Sequence, residues 1–87
     1  MSKELVTLDE QALLVRFGEQ LRRLRVTAGL TQEALAHGSG LDRSYVGQVE
    51  RGERNVALVN IVKLATALSV QPSVLIAGVD TQDGASS

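Results

Sequence analysis

The stretch from Gln32 to Arg51, QEALAHGSGLDRSYVGQVER, decides how the chain is read. Thr31, just ahead of it, is a good N-cap, and Gln32 to about His37 follow as a short helix. Gly38-Ser39-Gly40 is a cluster of helix breakers. Asp42 offers a second N-cap, and Arg43 to Arg51 read as another helix, closed by Gly52. Ala36 is small where two crossing helices need close approach, and Gly40 suits a turn residue with positive φ. Val46 and Val49 are placed to pack back on the preceding helix, and Leu35 and Leu41 complete the apolar side.

Upstream, Leu14, Phe17, Leu21, Leu24 and Ala28 recur on one helical stripe, which predicts a helix from about Asp9 to Ala28. Thr7 and Glu10 have capping-box spacing, and Gly29 suits the left-handed residue that ends such a helix. Downstream, Gly52-Glu53-Arg54-Asn55 reads as a loop. A fourth helix is predicted over Leu58–Leu68, with Leu58, Ile61, Leu64, Ala65 and Leu68 on its core stripe. A short fifth helix starts at Pro72 and runs to about Ala77. The expected organisation is an extension over 1–8, one all-α domain over 9–79 and a small, polar, disordered tail over 80–87.

Composition narrows the function. The chain has 87 residues, enough for one small domain. It has no Cys and one His, which argues against disulfides, thiolate chemistry and Cys- or His-based metal sites. No cofactor or metal is expected. Phe17 and Tyr45 are the aromatic residues, so the core must be aliphatic. No apolar run reaches membrane-spanning length and no signal peptide is visible, so the expected setting is cytoplasmic, without membrane attachment. No nucleophile–base pair or phosphate-binding glycine loop is present, so no enzyme is expected. The net charge of −1 hides an asymmetry: residues 16–63 carry eight basic and five acidic side chains, and each end is acidic. That central basic excess permits a nucleic-acid partner.

Two short helices joined this tightly form a helix-turn-helix layout, whose second helix is offered to the major groove of DNA. The surrounding words extend the pattern: Leu24-Arg25, Gly29 to Ala36, Gly40 to Val46, Val49 to Asn55, and Leu64 to Val70. On these residues the chain resembles the phage-repressor or Xre-type regulators, over roughly residues 16–78. Leu41 to Val46 and the Glu50–Asn55 loop are most similar to controller proteins of restriction–modification operons. The resemblance implies a compact five-helix bundle that binds an operator in double-stranded DNA and, through operator position, blocks or recruits RNA polymerase.

The resemblance also implies roles. Arg43, Ser44 and Gln48 would contact bases, since Arg suits guanine O6/N7 and Gln suits adenine N6/N7. Thr31 and Gln32, at the start of the second helix, would hold a phosphate. Tyr45, Arg51, Arg54 and Asn55 would contact phosphates from the groove edge and the following loop. Arg25 and Glu50 would form a partly buried ion pair. The bland readings stand beside these: Tyr45 as a half-buried packing ring, Arg51 and Arg54 as mere balance for Glu50 and Glu53. Many relatives have Pro-Ser after the loop where this chain has Val56-Ala57, which removes a capping hydroxyl.

The apolar inventory exceeds what one small core can hold. The surplus, drawn from Val56, Val59, Val62, Val74, Leu75 and Ile76, predicts a homodimer seam on the fourth and fifth helices. A second class stays open, a protein-interaction or antitoxin-like module of the same fold. The polar, short or basic outer face expected of Arg43, Ser44, Gly47, Gln48 and Arg51 favours DNA, because a docking face would carry apolar anchors.

Overall fold

Asp9 opens the first helix, its side chain accepting from the Ala12 amide at 3.1 Å. In the computed structural model, which describes residues 8–80, that helix is α1, Glu10–Thr27. It is followed by α2 (Gln32–Ser39), α3 (Arg43–Glu50), α4 (Leu58–Ala67) and α5 (Pro72–Ile76), and a 3₁₀ turn over Ala77–Val79. The cap expected at Thr7 lies outside the described residues, as do nearly all of the expected extension and tail. No strand occurs among the described residues.

The helices form where apolar spacing and punctuation coincide. The left-handed residues expected at Gly29 and Gly40 are there, with φ of 76° and 74°. After Gly40, the Leu41 amide returns to the Ala36 carbonyl at 3.0 Å, which closes α2 and turns the chain toward α3. α2 runs two residues past the expected stop at His37. The Ser39 hydroxyl donates back to the carbonyls of Leu35 (2.8 Å) and Ala36 (3.2 Å), so this buried serine caps its own last turn instead of breaking it. The N-cap expected at Asp42 makes no side-chain bond to α3, and Ala57, which stands at the N-cap of α4, has no polar side chain to cap with.

The core gathers one side of every helix: Phe17 and Leu21 from α1, Leu35 and Ala36 from α2, Val46 and Val49 from α3, Leu64 and Ala65 from α4, with Leu68 just after it, and Leu75 from α5. Its aliphatic character is as composition demanded. Gly18 sets the approach of α1 to α3. A Cβ there would lie 2.4 Å from the Val49 carbonyl oxygen and 2.5 Å from that of Glu50, so backbone meets backbone. Among the described residues no single helix is long and apolar enough to cross a membrane.

Four apolar assignments change. Leu58, expected on the core stripe, is 69% exposed, because the first turn of α4 overhangs the core and the buried stripe begins with Ile61. Ala28 is exposed as the C-cap of α1. Leu75, expected at a dimer seam, is fully buried; its neighbours Val74 and Ile76 take the outward positions, 37% and 41% exposed, as a 100° step per residue requires. Val56, also expected at the seam, is half-buried against the core. Val59 and Val62 remain open, at 63% and 43%.

Replacing Gly18 by Ala should destabilise the domain by about 1–3 kcal/mol through overpacking against the α3 backbone. Urea denaturation followed by far-ultraviolet circular dichroism measures this, and an unchanged midpoint would contradict the close crossing.

Candidate nucleic-acid interface

α3 has two unlike sides because its sequence alternates at helical period. Val46, Val49 and the Glu50 carboxylate face inward and are buried. Arg43 and Ser44 lie on the opposite side and are exposed. Among the described residues Arg43 makes no ion pair, so its five N–H donors are free. Gly47, expected on the outer face, is instead buried. A Cβ at this position would come within 3.2 Å of Arg51 Nη1 and 3.4 Å of Gln32 Oε1. The start of α2 and the loop arginine therefore close over α3 at its one residue without a side chain. Hydropathy carries no signal for that contact.

Behind this face lies the expected Arg25–Glu50 pair. Arg25 Nε donates to Glu50 Oε2 at 2.6 Å and Nη2 to Oε1 at 3.0 Å, with the side chains only 11% and 3% exposed. Arg25 Nη1 also donates to the Leu30 carbonyl at 2.8 Å. The hydrogen bonds to Glu50 hold the Arg25 guanidinium above its ordinary pKa, against the opposing effect of burial. Gln32, expected to be free for a phosphate, spends its side-chain amide here: Nε2 donates to Glu50 Oε1 at 3.0 Å. The ends of α1 and α3 and the start of α2 thus meet on one carboxylate.

The rim is built from the loop and α4. Arg51 forms a two-pronged pair with Glu53, at 2.9 and 3.2 Å. Those bonds raise the Arg51 pKa and lower that of Glu53, although both groups are exposed. Arg54 lies over the Tyr45 ring, 5.2 Å from its centroid, and donates through Nη1 to Gln48 Oε1 at 3.3 Å. Tyr45 is half-buried, as its packing reading had it, and its hydroxyl accepts from Asn60 Nδ2 at 3.0 Å. Ser44, Tyr45, Gln48, Arg54 and Asn60 line one polar hollow beside α3.

Two other expected contacts sit apart from that hollow. The Thr31 hydroxyl caps α2, accepting from the Ala34 amide at 3.0 Å. Asn55 borders an apolar hollow with Leu13, Val56 and Ile76. Asn60 and Gln11 were missed by sequence reasoning. The first stands as a lone polar residue in Leu58-Val59-Asn60-Ile61-Val62, which was the available signal. Gln11, on the first turn of α1, donates to the Gly52 carbonyl at 2.9 Å and had no sequence signal.

A family model described as helix-turn-helix matches residues 21–75. The chain belongs to the helix-turn-helix family. This helix-turn-helix chain is similar to control protein C.BamHI of Bacillus amyloliquefaciens, 44% identical over 61 residues, which cover 69% of the chain and 75% of that protein. A hypothetical transcription factor of Neisseria meningitidis is 50% identical over 62 residues, 71% of the chain but only 58% of that protein's length. The crystal structure of the restriction–modification controller protein C.AhdI from Aeromonas hydrophila superposes with a TM-score of 0.73 at 67% identity, covering 74% of the chain and 97% of C.AhdI. The relatives are helix-turn-helix transcription regulators, restriction–modification controllers among them, and the chain shares their fold.

Glu50→Ala should cost about 3 kcal/mol or more, because it strands the Arg25 charge in a nearly dry site. Replacing both partners by Met and Leu should recover much of that loss. Denaturant midpoints of the two single variants and the double variant check it; a Glu50→Ala protein as stable as the parent would contradict a buried pair.

Proposed function

We propose that this chain is a homodimeric, sequence-specific regulator that binds a near-palindromic operator in double-stranded DNA, and that it controls a restriction–modification operon. The observation that carries the reading is the face of α3. Arg43 and Ser44 are exposed and uncommitted, on a helix whose opposite side is anchored by Val46, Val49 and the buried Glu50. A rigid helix with free polar ends is what major-groove readout needs. Arg51 and Arg54 flank it as cations for the phosphate backbone. The likeness to C.BamHI and C.AhdI supports control of restriction–modification genes.

The dimer rests on the unspent apolar surface. Val59, Val62, Val74 and Ile76 are all exposed on α4 and α5, and Leu58 adds to them. An aliphatic patch of this kind marks an interface. Two-fold pairing through it would present two α3 helices to successive major grooves roughly 34 Å apart. Bound there, the dimer would block RNA polymerase or recruit it, according to operator position. The expected compartment is the cytoplasm, where the operator is.

Arg43→Ala should weaken binding to a selected operator by about 1–3 kcal/mol and relax preference at one base pair. Arg51→Ala should weaken all sequences alike and lower the salt slope by about one. Electrophoretic or fluorescence titrations over a salt series separate the two; unchanged operator affinity in Arg43→Ala would refute the role of α3.

Ile76→Asp or Val62→Asp should give a monomer with native helicity and sharply reduced operator affinity. Analytical ultracentrifugation at micromolar concentration reads the first effect. A parent protein that is monomeric and binds a palindrome without cooperativity would overturn the dimer.

A further inference from the structure

The contact between Arg54 and Gln48 carries a consequence for which bases are read. Gln48 lies one helical turn beyond Ser44, on the side of α3 that lines the polar hollow. A free glutamine side chain can present either end of its amide. The oxygen accepts from a donor such as cytosine N4, and the nitrogen donates to an acceptor such as guanine O6/N7 or thymine O4. Turning over the amide exchanges the two preferences at little cost. A lone, unrestrained glutamine is therefore a weak discriminator.

Here the amide is restrained. Arg54 Nη1 donates to Gln48 Oε1 at 3.3 Å. A guanidinium has donors and no acceptor, so the amide end facing it must be the oxygen. Arg54 is itself held by stacking over the Tyr45 ring at 5.2 Å. That ring is packed against the core, and its hydroxyl accepts from Asn60 of α4 at 3.0 Å. A continuous chain of contacts therefore runs from α4 through Tyr45 and Arg54 to Gln48. It engages the Gln48 oxygen and, among the described residues, leaves the two Nε2 hydrogens as the unused end.

We propose that Arg54 is a positioning residue for base recognition, which orients Gln48 as a hydrogen-bond donor toward the major groove and so selects a guanine or thymine acceptor edge over a cytosine N4 edge. This refines the pairing of Gln48 with adenine N6/N7, since the anchored oxygen is no longer the leading group. It rests on the reading that α3 enters the major groove. Arg54 keeps its phosphate charge in this scheme, and its second effect is on preference rather than on affinity.

The experiment separates the two effects. An operator is first selected from a random duplex library with the full-length parent protein. Affinities are then measured for all four base pairs at each half-site position, with the parent, Gln48→Ala, Arg54→Ala and the double variant. Gln48→Ala should flatten preference at one position, where the parent disfavours cytosine on the contacted strand by about tenfold. Arg54→Ala should lower affinity for every duplex and also flatten that same position. The double variant should be no flatter there than Gln48→Ala alone, because both changes remove one interaction. Circular dichroism confirms that the exposed substitution leaves the helices intact.

Arg54→Ala weakening all four base pairs equally, with the ratio at the Gln48 position preserved, overturns the proposal. So does a parent preference for cytosine at that position, or a Gln48→Ala variant that changes no position. Failure of the major-groove reading itself looks different: Arg43→Ala would then leave operator affinity untouched.

Discussion

The carboxylate of Glu50 is the point on which the domain turns. It is nearly dry and accepts three hydrogen bonds, two from Arg25 and one from Gln32. A buried carboxylate without partners is costly, so any arrangement that draws these three groups apart is disfavoured. Arg25 lies near the end of α1, Gln32 at the start of α2 and Glu50 at the end of α3. The ion pair therefore links the scaffold helix to both members of the helix-turn-helix unit. Replacing it by apolar side chains would retain burial but lose this directional constraint.

Two glycines make that convergence sterically possible. Gly18 lets the α1 backbone reach the carbonyls at the end of α3, and Gly47 leaves room on α3 for Gln32 and Arg51. α3 is thus clamped on the inside by backbone packing and a buried charge pair, with Arg43 and Ser44 exposed and, among the described residues, uncommitted outside. Orientation of the exposed side chains is inherited from the groups packed behind them. The rim follows the same logic on a smaller scale, with Asn60 and Tyr45 placing Arg54 against Gln48.

The distribution of apolar surface leaves part of the aliphatic inventory outside the core. α4 is so rich in aliphatic residues that one face covers the core while Val59 and Val62 remain in water. α5 contributes Leu75 inward and Val74 and Ile76 outward. A larger domain would lay another helix over this surface. Here the described residues offer none, and this uncovered face is what supports the proposed pairing with a second copy.

Much of this was determined by the sequence alone. Helical periodicity and glycine punctuation gave all five helices, and the run from Gln32 to Arg51 marked the helix-turn-helix unit and the outer residues Arg43, Ser44 and Gln48. Those signals are local, set by spacing and backbone preference within a few residues, so they are legible without a fold. The tertiary structure decided what depends on distant groups. Ser39 prolongs α2 because its hydroxyl finds carbonyls in a buried turn, and Leu58 overhangs because the core begins a turn later. Leu75 could not be told from Val74 and Ile76 by hydropathy, since all three are aliphatic and only the docking of α5 selects one for the interior. The use of the Gln32 amide by Glu50, and of Arg54 by Tyr45 and Gln48, likewise required knowing which side chains meet in space.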